Sequence, residues 1–244
     1  MKLVRCDWPA PVPAAGLDVA GVVHVWIAGG LPEAASLDRM AGALSGEECA
    51  RAARFHQAVD RDRYRFSRAL LREWLAGHLG VEPSDVALTC GPAGKPMLAT
   101  TDGAAPPLVF NVTHTRQLTM IALARSGELG IDAEPLAAGE AWSELAGRVL
   151  SRREREELER LAPALRPAAF LRAWTGKEAL LKAVGVGLMD ELGDLDLEIS
   201  PELPARLRAW LGHGERVDTW ELESFTPVPD HVATVAYRAA TIRR

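Results

Sequence analysis

The stretch Leu150-Ser151-Arg152-Arg153-Glu154 decides how this chain is read, because its pattern occurs twice. Leu44-Ser45-Gly46-Glu47-Glu48 stands 106 residues earlier, with serine and glutamate at the same spacing. A serine followed three residues on by a glutamate is a capping box, in which each side chain satisfies the other residue's backbone N–H at a helix start. In each copy a charged helix follows, and then an amphipathic one. The second helix carries Ser67-Arg68-Ala69-Leu70-Leu71-Arg72 in the first copy and Gly176-Lys177-Glu178-Ala179-Leu180-Leu181-Lys182 in the second. Each leads to a glycine and then a strand. The repeat predicts two similar α+β halves, 1–126 and 127–244.

Working outward, Phe170–Val184 reads as a helix, and Leu195–Ile199, Thr219–Phe225 and Val232–Tyr237 read as strands. Upstream, Leu108–Val112, Leu118–Ala124 and Leu129–Glu134 are three apolar runs joined by short polar turns, which predicts antiparallel neighbours. Val23–Ile27 is a β-branched strand. Leu44 to Leu79 is helix-rich and is stopped by Gly80 and Pro83. Asp85–Cys90 is a short strand candidate, and Gly91 to Pro96 is a turn by its punctuation.

The chain has 244 residues, 48% hydrophobic and 25% charged, which excludes a disordered tail, a collagen-like chain and a coiled coil. Its net charge of −5 argues against a general nucleic-acid binder and against adsorption to membrane surfaces. Cys6, Cys49 and Cys90 form no CxxC pair, so neither a disulfide framework nor a zinc site is indicated. Met1 to Pro9 holds no apolar core of signal-peptide length, and the apolar stretch near Val19–Ala28 is interrupted by His24. The expectation is a cytoplasmic protein with no membrane partner.

Three local features carry chemistry. Between Arg51 and Arg72 lie seven arginines (51, 54, 61, 63, 65, 68, 72) against Asp60 and Asp62, a +5 segment in an acidic protein. It reads either as a solvated helix face or as a phosphate site, for which the planar guanidinium fork is suited. In Gly130-Ile131-Asp132-Ala133-Glu134-Pro135, strand alternation puts Asp132 and Glu134 on one face. Two such carboxylates repel unless a cation sits between them, and hard oxygen ligands suit Mg²⁺. In Trp174-Thr175-Gly176-Lys177-Glu178-Ala179-Leu180-Leu181-Lys182, helical spacing puts Trp174, Lys177, Glu178 and Leu181 on one face, with Glu178 and Lys182 spaced for an ion pair.

GIDAE followed by WTGKEALLKA closely resembles the signature of the Sfp-type 4′-phosphopantetheinyl transferases. Further matches run in the family's order: Arg51-x-x-Arg54-Phe55 with Asp60 and Arg63, Gly94-Lys95-Pro96, Phe110-Asn111-Val112-Thr113-His114-Thr115, and Gly185-Val186-Gly187-Leu188. Thr113 stands where serine is usual. The resemblance implies an α+β fold of two similar halves in pseudo-twofold arrangement. Each half is a small, mostly antiparallel sheet packed with helices, and the active site lies in the cleft between them. It implies a monomeric enzyme of the holo-[acyl-carrier-protein] synthase type. Such an enzyme moves the 4′-phosphopantetheine arm of coenzyme A to a serine of an apo acyl or peptidyl carrier protein and releases adenosine 3′,5′-bisphosphate.

The roles it implies follow. Asp132, Glu134 and Glu178 hold Mg²⁺ against the pyrophosphate. Glu178 takes the serine proton, directly or through a metal-bound water. Lys182 stabilises the departing bisphosphate, and Lys177 neutralises phosphate or orients Glu178. Arg51 takes the 3′-phosphate with His114 and Thr113 beside it, and Arg54 belongs to the same basic segment. Lys95 and Pro96 lie near the adenine, and Arg63 contacts phosphate or pairs with Asp60. The first half thus contacts coenzyme A, and the second carries metal and catalysis. Trp142, Leu145, Val149 and Leu150 offer apolar positions to a partner helix or to the core, with at least two of them read as core. The rival readings are a non-catalytic coenzyme A or nucleotide binder and a metal-dependent phosphohydrolase.

Overall fold

Ser45 and Ser151 both cap helices as their spacing demands. Ser45 Oγ accepts from Glu48 N at 3.3 Å while Glu48 Oε2 accepts from Ser45 N at 3.0 Å. Ser151 Oγ accepts from Glu154 N at 3.1 Å and Glu154 Oε2 from Ser151 N at 2.7 Å. Around these two starts the computed structural model describes residues 1–10, 17, 19, 21–91, 94–100, 104–137, 142–186, 192–211 and 216–240.

The first half runs β1 (Lys2–Asp7), β2 (Val22–Gly29), α1 (Ala34–Met40), α2 (Gly46–Ala52), α3 (Ala58–Leu79), β3 (Leu88–Cys90), β4 (Pro96–Leu98), β5 (Val109–His114) and β6 (Leu118–Ala124). From β7 (Glu128–Pro135) the order restarts. It continues with α4 (Trp142–Val149), α5 (Arg152–Arg160), α6 (Arg166–Val184), β8 (Leu195–Leu197), β9 (Leu207–Trp210), β10 (Glu221–Phe225) and β11 (His231–Arg238). The pairing repeats as well. The unit's first strand pairs antiparallel with its last, β2 with β6 and β7 with β11, and the last pairs with the one before it.

Two expectations need correction. Leu108 to Glu134 is not one three-stranded neighbourhood: β5 and β6 pair, but β7 crosses to the second sheet, whose order is β10-β11-β7. The reason is a glycine. A Cβ on Gly130 would lie 1.9 Å from Ala179 O of α6, so this strand is shaped to carry that helix at close approach. The second correction is β1, which lies parallel to β2 outside the repeat. The Met1 amino group just before it pairs with Glu221, and the Arg5 guanidinium of β1 lies 5.2 Å from the Phe225 ring centre, both partners being in the second half. Sequence patterns also do not mark α1, β4 or β9.

Strand alternation distributes the chain over three cores. Trp26, Phe110, Ile121 and Leu123 face α3 with Leu70, Trp74 and Leu75. Phe170, Leu180, Leu197, Ile199 and Trp220 form the core around α6. Val23, Val25, Ile27, Met120 and Ala122 meet Leu129, Ile131, Ala133, Val235 and Tyr237 between the sheets. Each half is thus a helix-on-sheet layer pair whose second sheet face is apolar, and the two such faces bury one another.

Candidate active site

β7 divides its side chains by the pleat. Leu129, Ile131 and Ala133 enter the core between the sheets, which leaves Gly130, Asp132 and Glu134 on the α6 side. The helix above ends at Gly185, whose φ of 76° is the left-handed cap that glycine adopts freely. Lys182 reaches from it to Asp132 Oδ1 at 2.6 Å, and Thr113 Oγ1 of β5 donates to the same oxygen at 3.1 Å. Asp132 Oδ2 and Glu178 Oε1 are buried with no partner among the described residues. The expected Glu178–Lys182 ion pair is not made, because Lys182 is drawn to the carboxylate across the gap instead.

Burial first, and then Asp132, push the Glu178 carboxyl above its ordinary range. Glu134 is pushed up to about 7, by burial first, then by Asp132 and Glu178 against the opposing pull of Lys182. Desolvated carboxylates that repel one another and keep unsatisfied oxygens have the donor chemistry of a hard-cation site. Among the described residues no three His, Cys, Asp or Glu side chains already converge as ligands. The fit to Mg²⁺ therefore rests on the free oxygens of Asp132 and Glu178, with Glu134 electrostatically coupled to both.

Glu178, Leu181, Lys182 and Gly185 line a cavity of about 280 Å³ together with Lys95, Pro96, Asn111 and Val112 of the first half. Pro96 and Val112 also line a second cavity of about 600 Å³, which holds Arg51, Arg63, Arg68, His114 and Arg116. The two cavities share Pro96 and Val112 as walls and so adjoin as one groove, which Glu178 lines, while Asp132 is buried and bonded to Lys182 of that lining. Tyr64 organises its basic end: the Arg51 and Arg68 guanidinium carbons lie 5.3 Å and 5.6 Å from its ring centre. Arg63 bonds Asp60 at 3.1 Å and keeps a buried, unpartnered Nε. Partial burial, and then Lys182, Arg63 and Arg68, hold the His114 imidazole below its usual range, so it meets the groove as a neutral ring.

The family model described as 4′-phosphopantetheinyl transferase superfamily matches residues 128–236, and one described as 4′-phosphopantetheinyl transferase, N-terminal, matches 31–126. The 4′-phosphopantetheinyl transferase HetI of a Nostoc species is 36% identical over 88% of this chain and 86% of its own length. The chain belongs to the 4′-phosphopantetheinyl transferase family. A putative 4′-phosphopantetheinyl transferase of a Synechocystis species is 34% identical over 74% of this chain and 71% of its own. A 4′-phosphopantetheinyl transferase of Bacillus subtilis is 29% identical over 68% and 74%.

In this 4′-phosphopantetheinyl transferase the groove gathers Arg51, Arg63, Lys95, Pro96, His114, Glu178 and Lys182 of the expected set, and Lys182 and Thr113 join it to Asp132. Three expectations change. Lys177 is not at the groove: it is fully buried, with Nζ 2.5 Å from Glu154 Oε2 and 2.7 Å from Val149 O. Adjacent helical residues point about 100° apart, so Glu178 faces the groove while Lys177 faces the core. Phosphate contact by Lys177 is thereby corrected. Arg54 is exposed and does not line the pocket. Thr113 is buried against Asp132, while His114, one residue on, lies in the arginine pocket, since strand neighbours face opposite ways.

The other basic residues of the +5 segment are dispersed by helical geometry. Arg72 is buried on Glu48 at 2.6 Å, Arg65 pairs with Asp38 and Arg61 with Asp62. Arg68, one arginine of that segment, lines the pocket, as do Tyr64 and Arg116, which no sequence pattern marks. Val149 and Leu150 are core residues, while Trp142 and Leu145 are partly buried against the same core. Gly187 and Leu188 lie outside the described residues. No helix among the described residues is long and apolar enough to cross a membrane.

Proposed function

We propose that this chain uses the groove to transfer the 4′-phosphopantetheine arm of coenzyme A to a serine hydroxyl of an apo acyl or peptidyl carrier protein, as a cytoplasmic monomer of the holo-[acyl-carrier-protein] synthase type. The observation that supports this reading is that the arginine cavity shares Pro96 and Val112 with the cavity lined by Glu178 and by Lys182, which bonds Asp132. A ligand with phosphate at one end and a reacting pyrophosphate at the other suits that arrangement.

Arg51, Arg63 and His114, with Arg68 and Arg116, take the 3′-phosphate in the first half. Neutral His114 donates or accepts a hydrogen bond there without adding charge. Pro96 stands where the two cavities meet and borders the adenine. Asp132, Glu134 and Glu178 of the second half would hold Mg²⁺, which when bound neutralises charge on the pyrophosphate. Glu178 takes the serine proton as the serine oxygen bonds to phosphorus. The phosphorus–oxygen bond to the nucleotide breaks, and Lys182 stabilises the negative charge on adenosine 3′,5′-bisphosphate as it leaves.

Intact-mass measurement of apo carrier proteins after incubation with the enzyme, coenzyme A and Mg²⁺ tests this. The expected result is one phosphopantetheine gained per carrier. No gain on any carrier, or release of phosphopantetheine with no carrier present, overturns it.

A further inference from the structure

Among the described residues β7 is the edge strand of its sheet, paired with β11 along one side only. An edge strand leaves a row of N–H and C=O groups free, and when buried these need partners. In this sheet side chains supply them. Asn111 Oδ1 of β5 accepts from Ile131 N at 3.0 Å. Lys95 Nζ, from the turn before β4, donates to Leu129 O at 3.1 Å. Lys182 Nζ of α6 reaches Ile131 O at 3.4 Å. Two of these three fasteners come from the first half.

Lys95 does more than close the edge. Its Nζ also donates to Ala183 O at 3.0 Å, a carbonyl in the last turn of α6. Helices leave their last carbonyls unpaired, and a cation there also meets the negative end of the helix dipole. One ammonium thus ties the strand bearing Asp132 to the end of the helix bearing Glu178 and Lys182, and ties both to the first half. Asn111 and Thr113 stand two residues apart on β5, so both side chains point to the same side, towards β7.

We propose that Lys95 and Asn111 are positioning residues, which fasten the free edge of β7 and the end of α6 to the first half and so set Asp132 against Glu178 and Lys182. Its activity readout rests on the transferase reading above. It turns the Lys95 side chain from the adenine towards the protein's own backbone, and it assigns Asn111 a role.

Lys95→Met and Asn111→Leu remove the two fasteners at nearly constant volume. The expected result is a fall of at least about tenfold in kcat for carrier modification, since small misplacements of reacting groups cost that much or more. The KM for coenzyme A stays within about twofold, as uniform binding is untouched. Lys95→Arg, which keeps the donors, recovers most of the rate. A raised KM for coenzyme A at full kcat overturns the proposal, and so does unchanged kcat in both variants. Hydrogen exchange on the wild-type protein needs no folded variant and no turnover. The Ile131 amide is expected to exchange as slowly as the ladder-paired amides of β7. Exchange as fast as at an open edge overturns the fastening itself, whatever the outcome with carrier proteins.

Discussion

Lys177 Nζ lies 2.5 Å from Glu154 Oε2 in a fully buried ion pair, and in the first half Arg72 Nε lies 2.6 Å from Glu48 Oε2. In each half the capping-box glutamate of one helix is held by a cation on the next long helix. Glu154 also accepts from Leu197 N at 2.8 Å, so the pair links α5, α6 and β8. Breaking a buried pair from one side leaves an uncompensated charge, typically at about 3–5 kcal/mol. Lys177→Met alone is expected to lower unfolding stability by that order, and Lys177→Met with Glu154→Leu to recover much of it. Urea unfolding of the single and double variants measures this. A single variant as stable as wild type would show that Lys177 has no structural role.

The close approach of β7 to α6 makes Gly130 sensitive. A methyl group there meets Ala179 O at 1.9 Å and Ala183 N at 2.7 Å, both backbone atoms that no rotamer change can clear. Gly130→Ala is expected to cost about 1–3 kcal/mol by overpacking. It is also expected to reduce turnover strongly, because the helix it displaces carries Glu178 and Lys182. Thermal melting and carrier modification on the same preparation check both. Full activity would mean that the helix can ride higher without consequence.

Glu134 yields a pH prediction. Its folded-state pKa of about 7 lies above the ordinary value of 4.5, so the folded protein holds this proton more tightly than the unfolded chain. Stability from this group is therefore full below about pH 4.5 and declines as pH rises through 7. The metal-free protein is expected to lose thermal stability between pH 5 and about 7.5, and Mg²⁺ is expected to restore it, increasingly so at higher pH. Glu134→Gln reduces the slope. Melting curves with and without Mg²⁺ across this range test it, and a flat metal-free profile speaks against the raised Glu134 carboxyl.

The arginine pocket predicts discrimination by the 3′-phosphate. Arg51→Ala and Arg68→Ala are each expected to raise the KM for coenzyme A by about tenfold or more, the scale of a lost charge-assisted hydrogen bond. With 3′-dephospho-coenzyme A the same substitutions are expected to change little, because the partner is already missing. Equal effects on both substrates would move these arginines to another part of the ligand or to the carrier protein.

Much of this site was legible in the residues. The serine–glutamate boxes at Ser45 and Ser151 specify helix starts through bonds only three residues long. The alternation in Gly130 to Glu134 separates carboxylates from core side chains wherever a strand lies between two layers. The doubling of the capping pattern foretold a doubled architecture. These are short-range consequences of periods of two and 3.6 residues and of local hydrogen-bond geometry, so sequence alone determined them.

What only the tertiary structure decided is where long, flexible charged groups end and which edges meet. Lys177 and Glu178 look equivalent in a helical window, yet one neutralises Glu154 in the core and the other borders the groove. Seven arginines in one segment contribute only Arg51, Arg63 and Arg68 to the pocket, while Arg116 arrives from the β5–β6 turn. β7 leaves its sequence neighbours because its apolar face completes a core between sheets and its glycine admits α6. A charged side chain is committed by whichever opposite charge or unpaired carbonyl lies within its reach of several ångströms. That partner comes from residues 23 to 88 positions away, as for Lys177, Lys182 and Lys95, at distances along the chain that no local pattern encodes.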